Sequence, residues 1–175
     1  MNYTRTAVAL HWLIALLILV TFPLGVVMAD LPLSPDKLRL YSYHKWIGVT
    51  VFVLMLLRAA WRLTHQPPAL PASTPRWQQQ ASHAVHAALY LLLFVVPLSG
   101  WLMSSAKGVP TVWFGVVPLP DLLDKNKALG ELLSEVHEGL NVALLALVLL
   151  HVAAALKHQF IDRDGLLTRM SLFPQ

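Results

Sequence analysis

Residues 136–151 read Val136-His-Glu-Gly-Leu-Asn-Val-Ala-Leu-Leu-Ala-Leu-Val-Leu-Leu-His151: two histidines 14 residues apart, joined by an almost wholly apolar run. In an α-helix, 14 residues rise ~21 Å and fall within ~40° of four full turns. His137 and His151 therefore project from nearly the same face of one long helix at two depths. Leu140, Asn141, Leu144, Leu147 and Val148 lie on that face between them. A run of this kind from about Val136 to His158 is long enough to cross a bilayer, which takes ~20 mostly apolar residues.

Three more blocks of the same kind precede it, at about Thr6–Ala29, Tyr43–Leu63 and Ala81–Met103. The chain of 175 residues is 57% hydrophobic and only 13% charged, against roughly 25% charged in soluble domains. Lipid must cover part of such a surface. The expectation is an all-α membrane protein, a four-transmembrane-helix bundle, with residues 1–175 forming a single transmembrane domain. The first block has Arg5 ahead of it and Val27-Met28-Ala29 near its end, as a secretory signal would. A signal core is only about 7–15 residues, so this block is read as a spanning helix.

Connections are turn-like. Asp30–Asp36 joins the first two spans, with Ser34 or Asp36 as the expected helix cap. His65–Pro75 is proline-rich and cannot continue a helix. Lys107–Lys127 is expected to be the longest exposed loop, and Pro23 and Pro97 to kink their spans. No internal repeat is evident.

Charge sets the direction. The N-terminus, the second connection and the C-terminus share one side, with Arg5, Arg58, Arg62, Arg76, Lys157, Arg163 and Arg169 against Asp162 and Asp164. The other side carries Lys37, Arg39, Lys45, Lys107, Lys125 and Lys127 against seven acids, so the nets are +5 and −1 within a total of +4. Both termini of this multi-pass protein are expected in the cytoplasm. Basicity is accounted for by this bias; no basic run points to nucleic acid.

Cysteine is absent, which excludes disulfides, iron–sulfur clusters and thiolate-ligated haem. Eight histidines are the ligands available. Four lie at matched depths: His11 and His151 toward the cytoplasm, His44 and His137 opening their spans on the outer side. A lone histidine near a helix end is ordinarily an interface residue, but two pairs sharing one helix suit two stacked cofactors. Apolar walls and imidazoles from facing helices fit haem. Zinc or copper sites want three or four ligands with carboxylate or thiolate among them, and no acid lies deep in a span. With both axial positions filled, electron transfer is favoured over oxygen binding. Gly48, one turn past His44, gives a macrocycle room. Arg58 lies on the His44 face at the inner depth, where it serves a haem propionate or is simply a positive-inside arginine. His83 and His86, near the inner start of the third span, are expected to line a quinone pocket or bond a propionate, with replacement of His11 as a third role. His65, His158 and the six tryptophans read as interfacial.

These residues resemble the bacterial cytochrome b561 family, which is related to the cytochrome b subunits of nickel–iron hydrogenases. The matching stretches are Arg5-Thr-Ala-Val-Ala-Leu-His11-Trp12, Tyr43-His44-Lys45-Trp46-Ile47-Gly48, Ser82-His83-Ala-Val-His86 with Leu89-Tyr90, and Val136-His137-Glu138 leading to Leu150-His151 and His158. The resemblance implies two bis-histidine haems b, with His11/His151 on the cytoplasmic and His44/His137 on the periplasmic side. It also implies oxidoreductase work between a donor and membrane quinone, in some members superoxide with ubiquinone as acceptor. The donor is then a small anion drawn to the outer lysines. In hydrogenase-type relatives it is a partner enzyme, which makes a haem-bearing anchor subunit of a dehydrogenase the alternative. A metal or proton transporter is disfavoured by the lack of intramembrane carboxylates.

Overall fold

In a computed structural model that describes residues 3–71 and 74–171, four long helices dominate: α1 (Arg5–Asp30), α2 (Pro35–Thr64), α3 (Arg76–Ala106) and α4 (Lys127–Lys157). Each is long and apolar enough to cross a membrane, and no more than 22% of the most apolar window of any of them is buried within the protein. The outer faces are left for lipid, with Leu19 73% and Val142 62% exposed. Thr4, Ser34 and Asn126 cap α1, α2 and α4, each side-chain oxygen accepting from the backbone N–H three residues on. The helices run through Pro23 and Pro97. Ala72 and Ser73 of the proline-rich connection lie outside the described residues.

α2 begins eight residues before the expected span and α4 nine before. Ser34 with Pro35, and Asn126, are the starts chosen, since a good cap outweighs the polar residues that follow. His44 and His137 accordingly sit well inside their helices rather than opening them.

Consecutive helices pack side by side, α1 on α2, α2 on α3 and α3 on α4, whereas α1 and α4 scarcely meet through their backbones. The core is a mid-depth apolar layer. Ile14, Val51 and Met55 pack with Ile18, Tyr90, Leu93 and Phe94, and Leu89, Val96 and Leu144 pack with Leu93 and Leu147.

The segment between α3 and α4 differs from the exposed loop expected. It folds into a two-strand antiparallel hairpin, β1 (Val112–Trp113) and β2 (Val117–Pro118). Phe114 and Gly115 take the left-handed backbone its turn requires, with φ of 51° and 71°. The hairpin is fastened to α2: Trp46 Nε1 donates to Val112 O at 2.7 Å, Lys45 Nζ to Val109 O at 3.0 Å, and Trp113 Nε1 to Thr50 Oγ1 at 3.2 Å. Trp101 Nε1 holds Pro120 O at 3.0 Å. On the opposite side Trp61 Nε1 reaches Thr4 Oγ1 and Trp12 Nε1 reaches Met170 O. Five of the six tryptophans thus pin loops and chain ends to helices, beyond the belt role expected of them; Trp77 is 67% exposed.

A π-turn (His158–Asp162) and a 3₁₀ turn (Leu167–Met170) extend α4. There His158 Nδ1 contacts Asp164 at 2.6 Å and Asp162 at 3.2 Å, and Lys157 pairs with Asp162. Arg169 Nη1 donates to Ala69 O at 2.8 Å.

A hydrogen bond contributes ~1 kcal/mol net, so Trp46→Phe with Thr50→Val should release the hairpin by ~2 kcal/mol without unfolding the bundle. Amide exchange across 109–120 is expected to quicken while that of mid-α2 stays slow; equal exchange in variant and parent would show that these bonds do not hold it.

Candidate functional site

Polar residues within the spans fall on two levels, and the helices space them alike. The intervals His11 to Gly25 on α1, His44 to Arg58 on α2, His86 to Gly100 on α3 and His137 to His151 on α4 are all 14 residues. Because the helices alternate in direction, His11, Arg58, His86 and His151 share the level nearer the chain termini, named inner below, and Gly25, His44, Gly100 and His137 share the level nearer the β-hairpin, named outer. Ile18, Val51, Leu93 and Leu144, midway along each interval, belong to the apolar layer between them.

At the outer level the two helix hairpins are built to one plan. His44 Nδ1 lies 3.2 Å from both Thr21 O and Thr21 Oγ1 on α1. His137 Nδ1 lies 3.1 Å from Val96 O and 2.9 Å from Ser99 Oγ on α3. A carbonyl can only accept, so Nδ1 carries the proton in each ring and Nε2 keeps its lone pair. Glycine lets the rings come this close: a Cβ on Gly25 would stand 3.0 Å from His44 Cε1, and one on Gly100 3.0 Å from His137 Cε1. Thr21, Gly25, Ser99 and Gly100 were not singled out from sequence. Their signal was present in the 14-residue register, which places each glycine level with a histidine on the next helix.

The outer rings face each other with centroids 6.3 Å apart and planes at 86°; His11 and His151 do the same at the inner level, at 6.1 Å and 69°. Two imidazoles across one metal atom place their centroids a little over 6 Å apart, from a ~2.0 Å metal–nitrogen bond and ~1.1 Å from nitrogen to ring centre on each side. Both pairs fit that span. There is room around them as well. Gly48 is half-buried, yet a Cβ there would meet no atom within 4 Å. The inner pair also bridges α1 and α4, the neighbours whose backbones stay apart. Facing histidine pairs at this span could hold a haem, and in the outer pair a neighbouring carbonyl also holds one nitrogen of each ring.

Of the other expected residues, Arg58 and His86 join the inner level and His83 does not. Arg58 donates to Ala7 O and Tyr90 Oη, both at 3.1 Å, and Arg58 and Arg62 both stand over the Tyr90 ring. No carboxylate lies within 4 Å of either guanidinium among the described residues. His86 is half-buried, with its ring 5.2 Å from that of His151, too near for a metal atom between them. His83 is exposed. His65 stacks on Trp61 at 3.9 Å.

Comparison with known proteins places the chain in a family. The model of the prokaryotic cytochrome b561 family matches residues 2–171. The chain is 35% identical to "Cytochrome b561 homolog 2" of Escherichia coli (strain K12), over 97% of this chain and 90% of that protein. It is 27% identical to "Probable superoxide oxidase CybB" of Yersinia pestis, over 97% and 95%. It is 29% identical to "Cytochrome b562" of Cereibacter sphaeroides, over 97% and 94%. The chain therefore belongs to the prokaryotic cytochrome b561 family and is a multi-pass, haem-binding membrane cytochrome b of electron transport.

Proposed function

We propose that this cytochrome carries two haems b in one domain, held by His44/His137 on the periplasmic side and His11/His151 on the cytoplasmic side. In this reading it passes electrons from a periplasmic donor to membrane quinone. The observation that carries the reading is the two imidazole pairs, 6.3 and 6.1 Å between centroids, stacked 14 residues apart along α4. A haem held by two of these imidazoles would supply single-electron exchange and would offer oxygen no free ligand site.

The chain's own groups have distinct tasks. Thr21 and Val96 accept from Nδ1–H of His44 and His137, which presents each Nε2 inward and fixes its ring. Arg58 spends two of its five N–H donors on Ala7 O and Tyr90 Oη, and the rest are free for a propionate carboxylate. The apolar layer at Ile18, Val51, Leu93 and Leu144 keeps water and ions out of the space between levels. The charge bias of the connections supports cytoplasmic termini, and a reporter fused after Gln175 should be active only on that side.

For the donor, a small anion such as superoxide suits the outer face best. Lys107 and Lys125 have no acidic partner within 4 Å among the described residues, and one relative is named a probable superoxide oxidase. Purified protein should be reduced within seconds by superoxide and reoxidised by a soluble ubiquinone. A haem-bearing anchor subunit of a dehydrogenase would hold the same haems and do neither.

His137→Ala and, separately, His151→Ala should each remove about one haem of two per chain, read by pyridine haemochrome; full haem in both variants would sink the assignment. Gly100→Val places a branched side chain where Cβ alone meets His137 at 3.0 Å. It should cost the outer haem and leave the inner one's spectrum in place. Loss of neither haem would mean that the glycine contact does not hold the ring.

A further inference from the structure

At the outer level each histidine of the facing pair is tied to a carbonyl and a hydroxyl of the adjacent helix. Nothing equivalent exists inside: among the described residues neither His11 nor His151 makes a hydrogen bond to a side chain or backbone group outside its own helix. The reason is visible in the shared register. The Ala7 carbonyl, four residues before His11, is taken by Arg58. The corresponding Ser82 carbonyl on α3, four before His86, is taken by His86 itself, at 2.7 Å, with Ser82 Oγ at 3.3 Å. His86 is therefore the best-anchored imidazole of the inner level, and His151 rests against it edge-on, at 5.2 Å and 78°.

We infer that His86 is a positioning residue for the inner haem: its anchored ring sets the plane of the His151 imidazole and so the redox character of the iron that His151 ligates. This rests on the reading of His11/His151 as the inner ligand pair. The geometry separates the role from direct ligation. A metal between two imidazoles needs a little over 6 Å between centroids, which His11–His151 provides and His86–His151 does not. His86 Nδ1 is committed to Ser82, and its ring lies against that of His151. Fixing a ligand's ring orientation is a recognised way for a neighbouring group to tune a metal.

The two inner rings stand at 69°, and the g-anisotropy of a low-spin ferric haem follows the angle between its axial imidazole planes. The test uses the full-length protein with both haems loaded. In His86→Ala, two haems per chain should remain, while the inner haem's low-spin signal broadens or shifts and its midpoint potential moves. The outer haem should be unchanged in both. His86→Phe restores an aromatic ring at the position and should return the signal most of the way to that of the parent. The inference is overturned if both variants match the parent in signal and potential. It is equally overturned if His86→Ala loses the inner haem while His11→Ala keeps it, which would make His86 the ligand. His151→Ala is the control for the underlying reading: if it retains both haems, the ligand assignment fails, whatever the His86 variants do.

Discussion

Inside a bilayer there is no water to satisfy a polar group, so every imidazole, guanidinium or free carbonyl at depth must find a partner within the protein. That constraint organises this molecule. Its facing histidines, with Arg58 and His86, lie on two levels with a layer of apolar side chains between. At the outer level a helix carbonyl on the neighbouring segment supplies each histidine nitrogen with an acceptor, and a glycine one turn along lets the ring reach it. The outer pair obeys this rule twice over, through Thr21–Gly25 and Val96–Gly100.

The inner level starts from the same register and departs from it. Positions that match by spacing carry His11 on α1 and His86 on α3, and Arg58 on α2 and His151 on α4. One plan with three histidines and one arginine yields a facing pair across the open α1–α4 seam, a half-buried cation without an acid within 4 Å, and a third imidazole packed on His151. The two levels therefore surround their facing histidines differently.

The aqueous ends show a second use of the same chemistry. Indole N–H groups at the water boundary are free to serve either lipid headgroups or protein carbonyls. Here they mostly serve the protein, from Trp46 on Val112 to Trp61 on Thr4. The outer hairpin is consequently a fixed roof against α2 and not a free loop, although its apolar tip at Phe114 and Val116 remains 57% and 78% exposed.

Much was legible in the chain alone. Four spans follow from hydropathy and length, because a lipid-facing helix leaves no alternative pattern, and Ser34 announces its helix start through cap chemistry. The His137–His151 interval determined that two levels share one face of α4, since helical geometry turns sequence spacing directly into direction and depth. What spacing cannot convey is which side chains on different helices meet. Only the tertiary structure decided that His86 lies against His151, that Gly25 and Gly100 receive imidazoles, and that Arg58 takes the Ala7 carbonyl. Those outcomes depend on rotation and separation of whole helices, which many weak contacts settle jointly and no local stretch encodes. The loop's hairpin was hidden for a kindred reason: its two-residue strands are too short to show a period, and what holds them is tryptophan and lysine contact with α2, at the end of 60 or more residues of intervening chain.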